Sequence, residues 1–257
     1  MLEKRDGIAK LALNRPEVLN AINIQMILEL ADAVEMLKKD SEVRVVVLTG
    51  IGKAFSSGGD LRFLLENCER PSTEIYNTIV TKVNEIMYAL HTMDKITIAA
   101  IKGVAIGAGL ALALACDLRI AAEGAKLSTG FARIGLHAEF GISYFLTKLT
   151  NPSKALELML TSEFVDAREA ERLGLVNKVV PPERVESEAL ELATRIARGP
   201  WLAIRLIKKD VYESVKADLK TVLEREALGQ ALCLRTEDAK EGIKALIERR
   251  EPQFKGR

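Results

Sequence analysis

Hydrophobic residues along this chain follow two periods. Short β-branched runs at 8–13, 43–49 and 96–101 read as strands, the first stopped by Asn14-Arg15-Pro16 and the other two buried. Helical spacing starts at 23, where Asn23 can cap a helix whose apolar face is Met26, Ile27, Leu30, Val34 and Leu37. Leu61 opens a second helical segment, broken at Pro71, and 73–90 is helical again. Residues 107–115 carry no charge, which predicts a helix buried on every side. Residues 117–122 and 126–128 read as further strands. Beyond Ser153 helices dominate: 154–160, 167–173, 184–197, 202–214, 219–236 and 238–248. The expected class is α/β over the first two thirds, followed by a helical appendage. We place the boundary between 1–197 and 198–257.

Composition narrows the field. The chain has 257 residues, enough for one large domain or two small ones. Thirty-seven basic and 36 acidic residues leave a net charge of +1, which argues against a nucleic-acid or anionic-membrane partner. Cys68, Cys116 and Cys233 lie far apart, there is no C-x-x-C, and only two histidines occur, so neither a metal site nor a disulfide framework is expected. The start, M-L-E-K-R-D-G, lacks the apolar core of a signal peptide, and the most apolar stretch, 104–116, is too short to span a bilayer. A cytoplasmic protein with no membrane segment is the expectation.

Two turns carry candidate chemistry. A-F-S-S-G-G-D-L-R (54–62) follows the strand at 43–49, and K-G-V-A-I-G-A-G-L-A-L-A-L-A-C-D (102–117) follows the strand at 96–101. Each leaves a buried strand and opens a helix, so each can aim backbone N–H groups at one point, with a positive dipole end behind them. The acceptor is an anion, or an oxygen that becomes one during reaction. Gly52-Lys53 does not complete a P-loop, because the spacing is wrong and no Ser/Thr follows the lysine. Gly107-x-Gly109 lacks the third small residue and the downstream acid of a dinucleotide site. Two purely structural turns with close helix–strand packing stay open at this point.

Five stretches, taken in order, resemble the enoyl-CoA hydratase/isomerase (crotonase) family. They are N-R-P-E-V-L-N-A-I-N (14–23), the A-F-S-S-G-G-D-L turn, the G-V-A-I-G-A-G-L…C-D turn, A-L-E-L-M-L-T (155–161) and A-R-E-A-E-R-L-G-L-V-N-K-V-V (167–180). The resemblance implies a spiral of β-β-α units with a C-terminal helical region that makes homotrimers, often paired into hexamers. It implies an acyl-CoA substrate and no separate cofactor, with the thioester oxygen between the backbone N–H groups of Gly59 and Ala108. It places the CoA along Arg15, Val18, Ala21, Ser57, Gly58, Asp60, Leu61 and Gly107, with Arg249 reaching the phosphates from a neighbouring subunit. Asp60 is also read as the cap of the helix that Leu61 opens.

The acids decide the reaction. Hydratases of this family carry two glutamates, and the matching positions here are Ala111 and Phe131. Adding water needs one group to activate it and another to deliver a proton, so standard hydration is doubtful. Glu139, in I-G-L-H-A-E-F-G-I-S-Y-F-L, matches a position where dienoyl-CoA isomerases and aryl-CoA dehalogenases keep an acid. One base suffices for a 1,3-proton shift, and the neighbours Ala138, Phe140 and Ile142 point to a dry setting that raises its pKa. An isomerase with Glu139 as base is the first expectation. A hydratase, lyase or hydrolase on acyl-CoA and an idle CoA- or RNA-binding homologue are the alternatives. His137 is expected on the surface or in packing, and His91, Cys116, Asp117 and Trp201 in structural roles.

Overall fold

The computed structural model describes residues 1–256. In chain order the strands are β1 (Leu2–Arg5), β2 (Ile8–Leu13), β3 (Val45–Gly50), β4 (Ile96–Ile101), β5 (Val104–Ile106), β6 (Leu118–Ala122), β7 (Lys126–Ser128), β8 (Val165–Asp166) and β9 (Lys178–Val180). The helices are α1 (Ile24–Lys39), α2 (Leu61–Asn67), α3 (Ser72–Thr78), α4 (Asn84–Thr92), α5 (Ala108–Ala115), α6 (Ile142–Leu149), α7 (Pro152–Thr161), α8 (Ala167–Arg172), α9 (Val185–Ala197), α10 (Trp201–Ser214), α11 (Leu219–Cys233) and α12 (Glu237–Glu248). The expected strand at 43–49 starts two residues later, and the expected helix at 73–90 is divided by a π-helical stretch, Ile79–Val83.

Two sheets organise these elements. The larger runs β1-β2-β3-β4-β6-β9, parallel throughout except for the β1–β2 pair, and the smaller runs β5-β7-β8. Isolated bridges extend the smaller sheet, Ser56 to Ala105 and Ile22 to Gly59. A repeat follows. Each unit lays a strand in the large sheet, passes a short extended piece through the small one, and opens a helix. The first three units are β2, Ile22 and α1; β3, Ser56–Gly59 and α2; and β4, β5 and α5. This is the spiral of β-β-α units, and it puts the two glycine turns at equivalent points of adjacent units.

Local chemistry explains the elements that carry the site. Asn23 accepts a hydrogen bond from Met26 N–H at 3.0 Å and caps α1, whose buried residues are the five expected. Burying each large apolar side chain of that face contributes roughly 1.5–3 kcal/mol. All eight residues of α5 are buried, which lets this charge-free helix run through the core. The apolar core extends from Ala9 to Ala197, whereas α10 and α11 bury no residue and α12 buries only Asp238 and Ala245. Among the described residues, no helix is long and apolar enough to cross a membrane.

Candidate active site

The two turns abut. Gly58 has φ +91°, and a Cβ added there would lie 2.7 Å from the Ile106 carbonyl oxygen and 3.7 Å from Gly107 Cα. Gly107 has φ +54°, and a Cβ there would face Thr129 O at 3.5 Å and the Phe131 ring at 3.9 Å. Both positions need glycine, by left-handed backbone at each and by lack of space at Gly58. Ser56 N–H donates to Val104 O at 3.0 Å and Ile106 N–H donates to Ser56 O at 3.0 Å, so short strand-like bonds clamp the first turn to β5.

The peptide planes fix where the following N–H groups point. Gly58 O accepts from Ile22 N–H at 2.7 Å, so in the trans peptide Gly59 N–H faces the other way. Gly107 O accepts from Ala111 N–H at 3.0 Å inside the first turn of α5, so Ala108 N–H points out of the helix N-terminus. Neither Gly59 N–H nor Ala108 N–H donates to an acceptor among the described residues. Ala108 is 4 % exposed, and the α5 dipole adds partial positive charge at its end.

The segment before α1 lies along the first turn. Arg15 donates through one guanidinium nitrogen to Ala21 O at 2.7 Å and Asp60 Oδ2 at 2.9 Å. That pairing holds the Asp60 carboxyl below its usual range, Arg15 being the largest cause. Asp60 also caps α2, accepting from Arg62 N–H at 3.1 Å. Ser57 Oγ donates to Val18 O at 3.2 Å. Val18 and Leu61 are exposed and Ala21 is buried. The fold therefore gathers Arg15, Val18, Ala21, Ser57, Gly58, Gly59, Asp60, Leu61, Gly107 and Ala108. Arg249 does not join them in the single chain. It closes α12 in a left-handed conformation, exposed, with no bond to either turn.

The acid-bearing segment comes from the next unit. Phe131 is buried with its ring edge on Gly107, and Ala111 is fully buried in α5. Glu139 stands between Phe131 and α6, and α6 packs on α5. Burial pushes its carboxyl above the ordinary 4.5, with His137 opposing weakly, and it meets no cation as an ion pair among the described residues. His137 is exposed. His91 packs edge-on against Tyr144, Phe145 and Tyr212, which gives it a structural place. Among the described residues no group of three or more His, Cys, Asp or Glu is arranged to hold a metal ion.

Sequence reading missed two residues of this site. Asn20, fully buried, donates from Nδ2 to Ile51 O and Ala54 O, both at 2.9 Å, and accepts from Arg15 N–H at 2.8 Å through Oδ1. Ser56 donates to Asn20 O at 2.8 Å and accepts from Gly58 N–H at 3.1 Å. Both lie inside stretches that carry the family resemblance, 14–23 and 54–61, but nothing in their local spacing marks their bonds.

A spiral of β-β-α units whose neighbouring turns present free N–H groups is the crotonase architecture. The family described as enoyl-CoA hydratase/isomerase matches residues 3–257. The chain is 37% identical over 255 residues to the crotonyl-CoA hydratase of Syntrophomonas wolfei, covering 99% of this chain and 96% of that protein. It is 33% identical over 251 residues to the 1,2-epoxyphenylacetyl-CoA isomerase of Escherichia coli, covering 98% and 96%. The crystal structure of an enoyl-CoA hydratase from Bacillus anthracis superposes with a TM-score of 0.92 at 32% identity, covering 100% of this chain and 99% of that one. The chain belongs to the enoyl-CoA hydratase/isomerase family, whose members act on acyl-CoA thioesters.

Proposed function

We propose that the protein is an enoyl-CoA isomerase that moves a double bond by a 1,3-proton shift. Glu139 takes a proton from C2 of a 3-enoyl-CoA. The electron pair delocalises onto the thioester oxygen, which Gly59 N–H and Ala108 N–H receive. The same carboxyl returns the proton to C4, leaving the conjugated 2-enoyl-CoA. Each preorganised donor lowers the barrier by roughly 3–4 kcal/mol. The observation that carries the reading is the set of acids: Glu139 is half-buried, without a cationic partner and raised in pKa, whereas the two positions that match the hydratase glutamates are filled by buried Ala111 and Phe131. A raised pKa makes the carboxylate a stronger base once it is ionised. Phe131, set against Gly107, supports a dry site in which enolate protonation outruns hydration.

Hydration is the second reading, favoured by the relatives named as hydratases. In that case Glu139 would serve water alone. The discriminating experiment is Glu139→Gln with 3-enoyl-CoA as substrate. Isomerisation should fall roughly 10²–10⁴-fold, and undiminished turnover would remove Glu139 from the mechanism.

We also infer that the helical appendage packs on further copies of this chain, as a trimer or hexamer. Leu219, Leu246 and Ile247 are 73%, 80% and 77% exposed in the single chain, on helices that bury almost nothing. Such a packing would let Arg249 approach the CoA phosphates of a neighbour.

A further inference from the structure

One side chain touches both donor-bearing turns. Ser56 is fully buried. Its hydroxyl donates to Asn20 O at 2.8 Å and accepts from Gly58 N–H at 3.1 Å, which fixes its rotamer and the Ser57–Gly58 peptide, the one just before the peptide that carries Gly59 N–H. On its other side lies the first turn of α5, where a Cβ added at Gly109 would stand 2.6 Å from Ser56 Cβ and 2.8 Å from Oγ. The helix that carries Ala108 thus presses directly on the residue that holds Gly58. Ser56 is anchored in turn, because Asn20 is immobilised through both of its amide atoms.

We propose that Ser56 is a positioning residue for the reaction, setting the aim of Gly59 N–H against Ala108 N–H. This rests on the reading of those two groups as the oxyanion donors. Without the hydroxyl, Gly58 N–H loses its partner in a closed interior, the Ser57–Gly58 peptide loosens, and Gly58 Cα, from which the next peptide hangs, shifts with it, so that Gly59 N–H is held through Ile22 alone. Donor geometry matters at sub-ångström scale, so the damage falls on the transition state more than on substrate binding.

The test uses Ser56→Ala, Ser56→Cys and Gly109→Ala, the last acting on the same joint from the α5 side. Two readouts are taken: steady-state kinetics with 3-enoyl-CoA, and the absorption of a bound 4-(dimethylamino)cinnamoyl-CoA, which moves to longer wavelength when its carbonyl oxygen accepts hydrogen bonds. In Ser56→Ala, kcat should fall roughly 10–100-fold, with KM little changed and the red shift reduced. Ser56→Cys, which keeps a weak acceptor, should recover part of both, and Gly109→Ala should mimic the loss. Should Ser56→Ala fail to fold, judged by circular dichroism, the other two variants decide by the same readouts. Wild-type kcat and red shift in the folded variants, or a loss confined to KM, overturns the proposal. A wild-type protein that binds the probe with no red shift overturns the oxyanion reading itself, and this proposal with it.

Discussion

The spiral core and the helical appendage place most of their polar groups differently, with Asp238 of α12, buried and accepting from Lys255 and Gly256 N–H, an exception in the appendage. In the core, Asn20, Ser56 and Thr97 are fully buried, and each is hydrogen-bonded through its side chain. In the appendage, charged pairs such as Arg225–Glu213 lie at the surface, while Leu219, Leu246 and Ile247 face outward. Buried polar bonds hold backbone geometry in place because breaking one leaves an unpaired group in a dry interior. Surface pairs exchange with water at little cost. Where donors must be aimed, the chain builds with the first kind.

Substitutions sharpen this contrast in order of size. Gly58→Ala should be the most damaging, since its Cβ would meet Ile106 O at 2.7 Å on a left-handed backbone. Loss of one aimed donor predicts roughly 10²–10³-fold lower kcat, measured with 3-enoyl-CoA. Asp117 ties the core to α10, accepting from Thr97 N–H at 2.7 Å, Lys208 Nζ at 2.8 Å and the Tyr212 hydroxyl at 2.8 Å. Asp117→Ala strands the Lys208 charge, so chemical denaturation should report a loss of about 3–5 kcal/mol. Replacing both Leu246 and Ile247 by Glu should leave the circular dichroism of the core intact and shift sedimentation toward monomer. Retained assembly would place the contact elsewhere.

Glu139 predicts a subtler effect, with a definite sign. Burial raises its folded pKa, so the folded state disfavours the charged carboxylate. Glu139→Gln therefore removes a cost that is present above the folded pKa and absent below the unfolded one. The variant should melt at a higher temperature than wild type near neutrality, and the gap should close on acidification through the pH range above 4.5. An equal gap at all pH values would contradict this assignment. Smallest of all, Arg205→Ala breaks an exposed pair with Asp94 and should change stability by less than about 1 kcal/mol.

Much of this was legible in the chain. Asn23 with its apolar stripe defined α1, because an amphipathic surface helix writes both its cap and its period into sequence. The two glycine turns announced themselves through the strand before and the helix after each. α6 went unseen because the residue that precedes it is Gly141, in a left-handed conformation, without a capping side chain. β5, β8 and β9 are two or three residues long, and partners elsewhere in the chain select them, which no local period records. Ser56 and Asn20 escaped for a related reason: the bond between them joins loops 36 residues apart. Glu139 was placed by family resemblance, and the dry setting expected from Ala138, Phe140 and Ile142 agrees with the burial that raises its pKa.

The central claim is that this site shifts a proton and adds no water. Product analysis tests it most directly: incubate purified protein with 3-enoyl-CoA and with 2-enoyl-CoA, and resolve the products by chromatography. The account predicts interconversion of the two enoyl thioesters with no 3-hydroxyacyl-CoA. Accumulation of the 3-hydroxyacyl product, with the double bond never migrating, would contradict it.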